Sequence, residues 1–199
     1  MKKILYLNII LIILILVANV AIFYGINFPM PFDFINHFTD YETEYILIIL
    51  LIIGLLAYLI ASVKNKQNNF LHIFFILNCL FLAFLAFEGS SEYIKKKKEL
   101  TLREMEYIKQ AKKDIENDRV TYKFAGGLAV SDYDEEIEKK IDDIYKKYGV
   151  TYFNTGCIVD FMDLKAQKKY QETVKPYLIK RNGKNWELKM KSEIEKIRN

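Results

Sequence analysis

Histidine and cysteine are scarce in this 199-residue chain, which holds two of each. His37 and His72 both fall in the apolar first half, so the charged second half has no imidazole. That excludes nucleophile–histidine–acid catalysis and histidine-ligated zinc hydrolysis from it. Cys79 lies within an apolar run and Cys157 is the only thiol beyond it. No disulfide or cysteine metal cluster can therefore form inside the second half, and no cofactor is expected there. Charge is almost missing from residues 1–87, which carry four basic and four acidic side chains against 25 and 21 in residues 88–199. The excess of four positive charges is thus spread among many acids. Nucleic-acid binding, which wants clustered basic charge, is not expected, and a solvated surface is.

What the first half does contain is three uncharged runs, at residues 4–24, 45–63 and 70–87. A helix rises about 1.5 Å per residue and a hydrocarbon core is about 30 Å thick, so roughly 20 residues span it. The third run is short but flanked by polar residues. Three helices apolar all round could not be covered by the rest of so small a chain, which argues against a buried core. Lys2 and Lys3 resemble the start of a signal peptide, yet the first run is too long and lacks a small-residue cleavage site; an uncleaved anchor is expected. Lys2, Lys3, Lys64 and Lys66 lie on one side of the runs, while Asp33, Asp40, Glu42 and Glu44 lie on the other. The positive-inside rule then puts the N-terminus in the cytoplasm and the C-terminal part outside. Lys95 to Lys98 dissent, since they follow the third run closely.

The loop between the first two runs is rich in rings, at Phe28, Phe32, Phe34, Phe38, Tyr41 and Tyr45, which suits the outer interface. Asn8, Asn19 and Asn78 are the uncharged polar residues of the runs. Gly54, Ala57 and Ala61 make a small-residue stripe suited to close helix packing, including packing between copies of the chain. No run contains Asp, Glu, Lys or Arg, so an ion or proton pathway is not expected.

Residues 90–118 carry helical apolar spacing, with Glu99–Arg103 and Glu106–Lys109 or Gln110 as side-chain pairs, and read as a stalk at 89–118. Arg119 to Phe124 alternates as a strand should, ended by Gly126-Gly127. Ser131 suits the N-cap of a helix whose first turn holds Asp132, Asp134, Glu135 and Glu136. Ile137, Ile141, Ile144, Tyr145 and Tyr148 form that helix's apolar face, and Gly149 its C-terminal stop. Val150 to Val159 is strand-like, broken at Asn154-Thr155-Gly156. One helix between two strands predicts a right-handed crossover and a parallel pair. A helix over 164–181, kinked or divided at Pro176, and another over 186–197 complete the reading. The expected architecture is a three-helix transmembrane bundle over residues 1–88, then a small soluble α/β (α+β) domain at 119–199 with a two-stranded core and flanking helices.

The run Ile144-Tyr145-Lys146-Lys147-Tyr148-Gly149 is followed by Thr155-Gly156-Cys157, Tyr170, Val174, Tyr177-Leu178 and Asn182-Gly183-Lys184-Asn185-Trp186. This order resembles the FEKKY domain, a small bacterial module of Bacteroidetes type. Ile144 and Tyr145 depart from its first two letters; Lys146, Lys147, Tyr148 and Gly149 match. The resemblance covers about residues 105–199 and implies an origin rather than an activity. The residues it singles out are Lys146, Lys147, Tyr148, Gly149, Gly156, Cys157, Tyr177, Gly183 and Trp186. Cys157 is expected to be small and buried rather than reactive, because no histidine can activate it. Trp186 is expected to anchor the last helix, and Asp160 and Asp163 to be surface acids rather than a metal or acid–base pair. Gly126-Gly127 lacks the lysine of a phosphate loop. On this inventory the chain reads as a membrane-tethered interaction or structural module, whose partners are the bilayer and another envelope protein. A sensor or regulatory subunit and a thiol-dependent enzyme are the alternatives.

Overall fold

The computed structural model describes residues 2–63, 69–125 and 134–198. The expected roles of Lys64, Lys66, Gly126-Gly127, Ser131 and Asp132 fall outside those residues. The chain forms two compact units, residues 1–98 and 99–199.

The first unit holds α1 (Lys2–Ile26), a 3-10 turn at Phe38–Tyr41, α2 (Thr43–Val63) and the start of α3 (Phe70–Glu116). All three helices are long and apolar enough to cross a membrane. Polar groups inside them are used for packing. Asn8 Nδ2 donates to the Ile4 carbonyl at 2.9 Å and across to the Leu71 carbonyl of α3 at 3.1 Å. Asn19 Nδ2 reaches the Tyr41 carbonyl at 2.7 Å, whereas Asn78 Nδ2 bonds only within its own helix, to Phe74. Further along, α1 and α3 touch at glycines: a Cβ on Gly89 would sit 2.6 Å from Ile22 Cγ1, and one on Gly25 3.4 Å from the Gly89 carbonyl. The two helices therefore run parallel, and neither glycine contact was expected. In the small-residue stripe, Ala57 and Ala61 are buried within this unit, and Gly54 lies near Phe74. The stripe takes part in packing within this unit.

The helix expected over residues 90–118 projects directly from the third run. Residues 70–116 are one 47-residue helix. The change from apolar to charged sequence marks a change of surroundings only: Gly89 alone does not break a helix, and no proline intervenes.

In the second unit the chain leaves α3 through Asp118, which takes the left-handed conformation at φ 50°. It then forms β1 (Val120–Phe124), α4 (Glu135–Lys147), β2 (Val150–Asn154), α5 (Phe161–Asn182) and α6 (Trp186–Arg198). The strands are parallel, with Val120 opposite Val150 and Tyr122 opposite Tyr152, as one intervening helix requires. Helix α4 is preceded by Asp134 in extended conformation, and Glu135, Glu136 and Glu138 occupy its first turn. Strand β2 stops five residues early at Asn154, whose Oδ1 accepts the Gly156 N–H at 2.9 Å and turns the chain. Helix α5 starts three residues early because Asp160 caps it, accepting from the Met162 and Asp163 amides. Pro176 neither ends nor divides it; both Pro176 and Glu172, whose carbonyl lacks its helical donor, lie on the exposed side. Val120, Val150, Val174, Leu178, Met190 and Trp186 are among the buried residues of the core that α5, α6 and the sheet share.

Candidate functional site: a tyrosine and lysine groove

Most of the residues singled out by the sequence motif gather at the N-terminal end of β2, while Gly156 and Cys157 lie past its C-terminal end. Gly149 holds φ 70°, and a Cβ there would lie 2.8 Å from Arg181 Cζ. Arg181 donates from Nη1 to the Lys147 carbonyl at 2.9 Å and from Nε to Asp118 Oδ1 at 2.6 Å. Tyr177 donates its hydroxyl to the same Asp118 oxygen. These two donors hold the Asp118 carboxyl below its usual range, Arg181 contributing most. Asn182 Nδ2 reaches the Tyr148 carbonyl at 2.8 Å. Lys147 Nζ and the Tyr148 hydroxyl both donate to Glu193 of α6, at 2.8–2.9 Å, and lower its carboxyl in turn. Gly183 ends α5 at φ 89°, and Trp186 is buried beside the Tyr148 ring, at 6.3 Å. Lys146 points to Asp143 at 3.6 Å on the exposed side. This end of the unit is a closed set of ties between α3, α4, α5 and α6.

Two expected features differ from this picture or resolve within it. Cys157 is exposed rather than buried, because the chain turns away from the core after Asn154. Asp160 and Asp163 do come together, but on a cation: Arg103 Nη1 bonds both, at 2.8 and 2.9 Å, while its Nη2 meets the expected partner Glu99 at 2.9 Å. Among the described residues, no group of three or more His, Cys, Asp or Glu could hold a metal ion.

The C-terminal end of the strands is built differently. A groove of about 640 Å³ opens there, with Tyr122 and Tyr152 from the sheet and Tyr145 from α4. Lys175 comes from α5, and Trp186, Glu187 and Lys191 from α6. Parallel strands place ligand crevices beyond their carboxyl ends, since the side chains there run past the packed core. Here Val120 and Val150 fill the core, and two residues on, on the same face, Tyr122 and Tyr152 emerge from it. The rings touch in series, with centroids 5.6 Å apart for Tyr122–Tyr152 and 4.7 Å for Tyr145–Tyr152. Among the described residues, none of the three hydroxyls has a hydrogen-bond partner. Burial pushes the Tyr122 hydroxyl up to about 12 and raises those of Tyr145 and Tyr152, so all three stay protonated donors near neutrality. Lys123, on the adjoining rim, sits 5.6 Å from the centre of the Tyr107 ring.

Of the motif residues only Trp186 reaches both ends. The three tyrosines went unnoticed because they belong to two strands and a helix far apart in sequence. A signal was present: both strands begin Val-Thr-Tyr, and the parallel register sets the triplets side by side. Comparison with protein-family models, with curated proteins and with solved structures finds no match for this chain.

Proposed function

We propose that this protein is a membrane-anchored interaction module, held in a bacterial inner membrane by α1, α2 and the apolar part of α3, and recognising a partner through its charged unit. The observation that carries the recognition half is the groove: three adjacent tyrosines whose hydroxyls have no partner among the described residues, beside two exposed lysines. Unpartnered donors on a concave surface favour binding, and the absence of histidine from residues 88–199 disfavours turnover. The anchor half is supported by helices that turn Leu51 and Leu80 outward at 74% and 63% exposure, apolar surface that water would not tolerate in such quantity. Placement of the charged unit outside the cytoplasm follows from the charge of the loops, and the similarity to the FEKKY module is part of the same reading. The sensor alternative has no observation of its own.

A photo-crosslinking amino acid in place of Tyr152, in cells of the native host, tests the proposal. A discrete adduct is expected, lost when Tyr122 and Tyr145 are both replaced by alanine in a chain that still accumulates in the membrane. An adduct indifferent to those replacements, or none, contradicts it.

A further inference from the structure

The groove's chemistry narrows the partner. We propose that it binds an acidic peptide segment that carries an aromatic side chain, presented by another protein. This inference rests on the interaction-module reading and specifies it. Three features argue for that occupant.

Charge is the first. Lys123, Lys175 and Lys191 line the groove against a single acid, Glu187, and Lys175 and Lys191 are both exposed. An anion is therefore favoured over a cation at the rim. Donor type is the second. Protonated phenols and ammonium groups are what an ionised carboxylate, an acceptor only, can use. Shape is the third. The tyrosine rings lie against one another, tilted by 33° and 50°, and form one aromatic cluster beside the lysines. A cage for a quaternary ammonium group would need a gap between the rings. An extended peptide lying along the surface satisfies these conditions together, its ring on Tyr122, Tyr145 and Tyr152 and its acids at Lys175 and Lys191.

The chain's single tryptophan, Trp186, lines the groove and reports on it. In the full chain reconstituted in nanodiscs, Trp186 fluorescence would be titrated with a capped hexapeptide of alternating glutamate and phenylalanine. A lysine–phenylalanine hexapeptide, a glutamate–alanine hexapeptide and tetragalacturonate serve as comparisons. The expected result is a saturable response to the glutamate–phenylalanine peptide that weakens with added salt and is absent with the lysine peptide. The glutamate–alanine peptide should bind more weakly, for want of a ring. Lys175→Glu with Lys191→Glu should weaken binding at least about tenfold, a difference of about 1.4 kcal/mol. Both lysines are exposed, so an unchanged melting temperature certifies the fold of that variant. An equal response to acidic and basic peptides, a response to tetragalacturonate alone, or no response overturns the proposal. If no peptide binds while the Tyr152 adduct persists and ignores Lys175→Glu with Lys191→Glu, the ligand class is wrong and the interaction reading stands. If the adduct is missing as well, that reading falls with it.

Discussion

The two ends of the two-stranded sheet are made of the same residue types and use them in opposite ways. At the N-terminal end, Tyr148 and Tyr177 donate to Glu193 and Asp118, Lys147 shares Glu193, and Arg181 spans Asp118 and a backbone carbonyl. At the C-terminal end, Tyr122, Tyr145 and Tyr152 have raised hydroxyls with no partner among the described residues, and Lys175 and Lys191 stand in solvent. A hydroxyl already satisfied within the fold contributes to stability and has little to offer a ligand. A half-buried hydroxyl left unsatisfied contributes little to stability, and a ligand gains from meeting it. Tyrosine–lysine content alone thus does not mark a recognition surface; pairing decides.

Substitutions can break this contrast, beginning at the core both ends share. Val150→Asp would place an unpaired carboxylate at a fully buried position and should unfold the charged unit, at a cost above about 4 kcal/mol. Loss of the Trp186 fluorescence signature in the full chain would show it. Gly149→Ala comes next. An alanine at φ 70° is strained, and its Cβ would push Arg181 off Asp118 and Lys147, so a loss of about 2–3 kcal/mol is expected in chemical denaturation. A smaller effect follows from Asp118→Ala. It removes a half-exposed ion pair, worth at most about 1 kcal/mol after solvent screening, and a residue type that tolerates φ 50°. The sum is about 1–2 kcal/mol.

The dependence on pH separates carboxyls from phenols by sign, for Tyr148 and Tyr177 at the N-terminal end are raised like the groove tyrosines. Asp118 and Glu193 have lowered carboxyls, so their stabilisation is present above the ordinary carboxylate range and is lost as pH falls through their folded-state values, below about pH 4. Burial raises the groove hydroxyls by penalising their ionised form, so stability is untouched by them below about pH 10 and falls as pH rises, for Tyr122 toward about 12. Tyr122→Phe should flatten the alkaline side of a melting-temperature profile and leave the acid side unchanged. Asp118→Ala should flatten the acid side and, because Asp118 is the main cause that raises the Tyr177 hydroxyl, part of the alkaline side as well.

Much of this architecture can be read from the residues, and the exceptions share a cause. The three apolar runs predict helices because nothing in them is polar enough to prefer another state. The parallel pair follows from a single helix between two strands. Boundaries are harder. The junction near Glu88 changes composition without changing backbone conformation, so the boundary drawn there is not the end of an element. The burial of Cys157 is wrongly expected because the break at Asn154-Thr155-Gly156 shows where the chain turns but not that it turns away from the core. The motif end is conspicuous because its glycines and lysines are adjacent in sequence. The groove is not, since its tyrosines meet only through the register of Tyr122 with Tyr152 and the packing of Tyr145 against them.

The contrast between the ends is tested most directly by melting two variants side by side at neutral pH, following Trp186 in the full chain. One is Asp118→Ala and the other replaces Tyr122, Tyr145 and Tyr152 together by phenylalanine. For a domain of about a hundred residues, about 1 kcal/mol shifts the midpoint by about 4–8 °C. The account predicts a drop of at least about 4 °C for Asp118→Ala and a change within about 2 °C for the triple phenylalanine variant. A triple variant that melts lower than Asp118→Ala would contradict it, for the groove hydroxyls would then be holding the fold together rather than standing open to a partner.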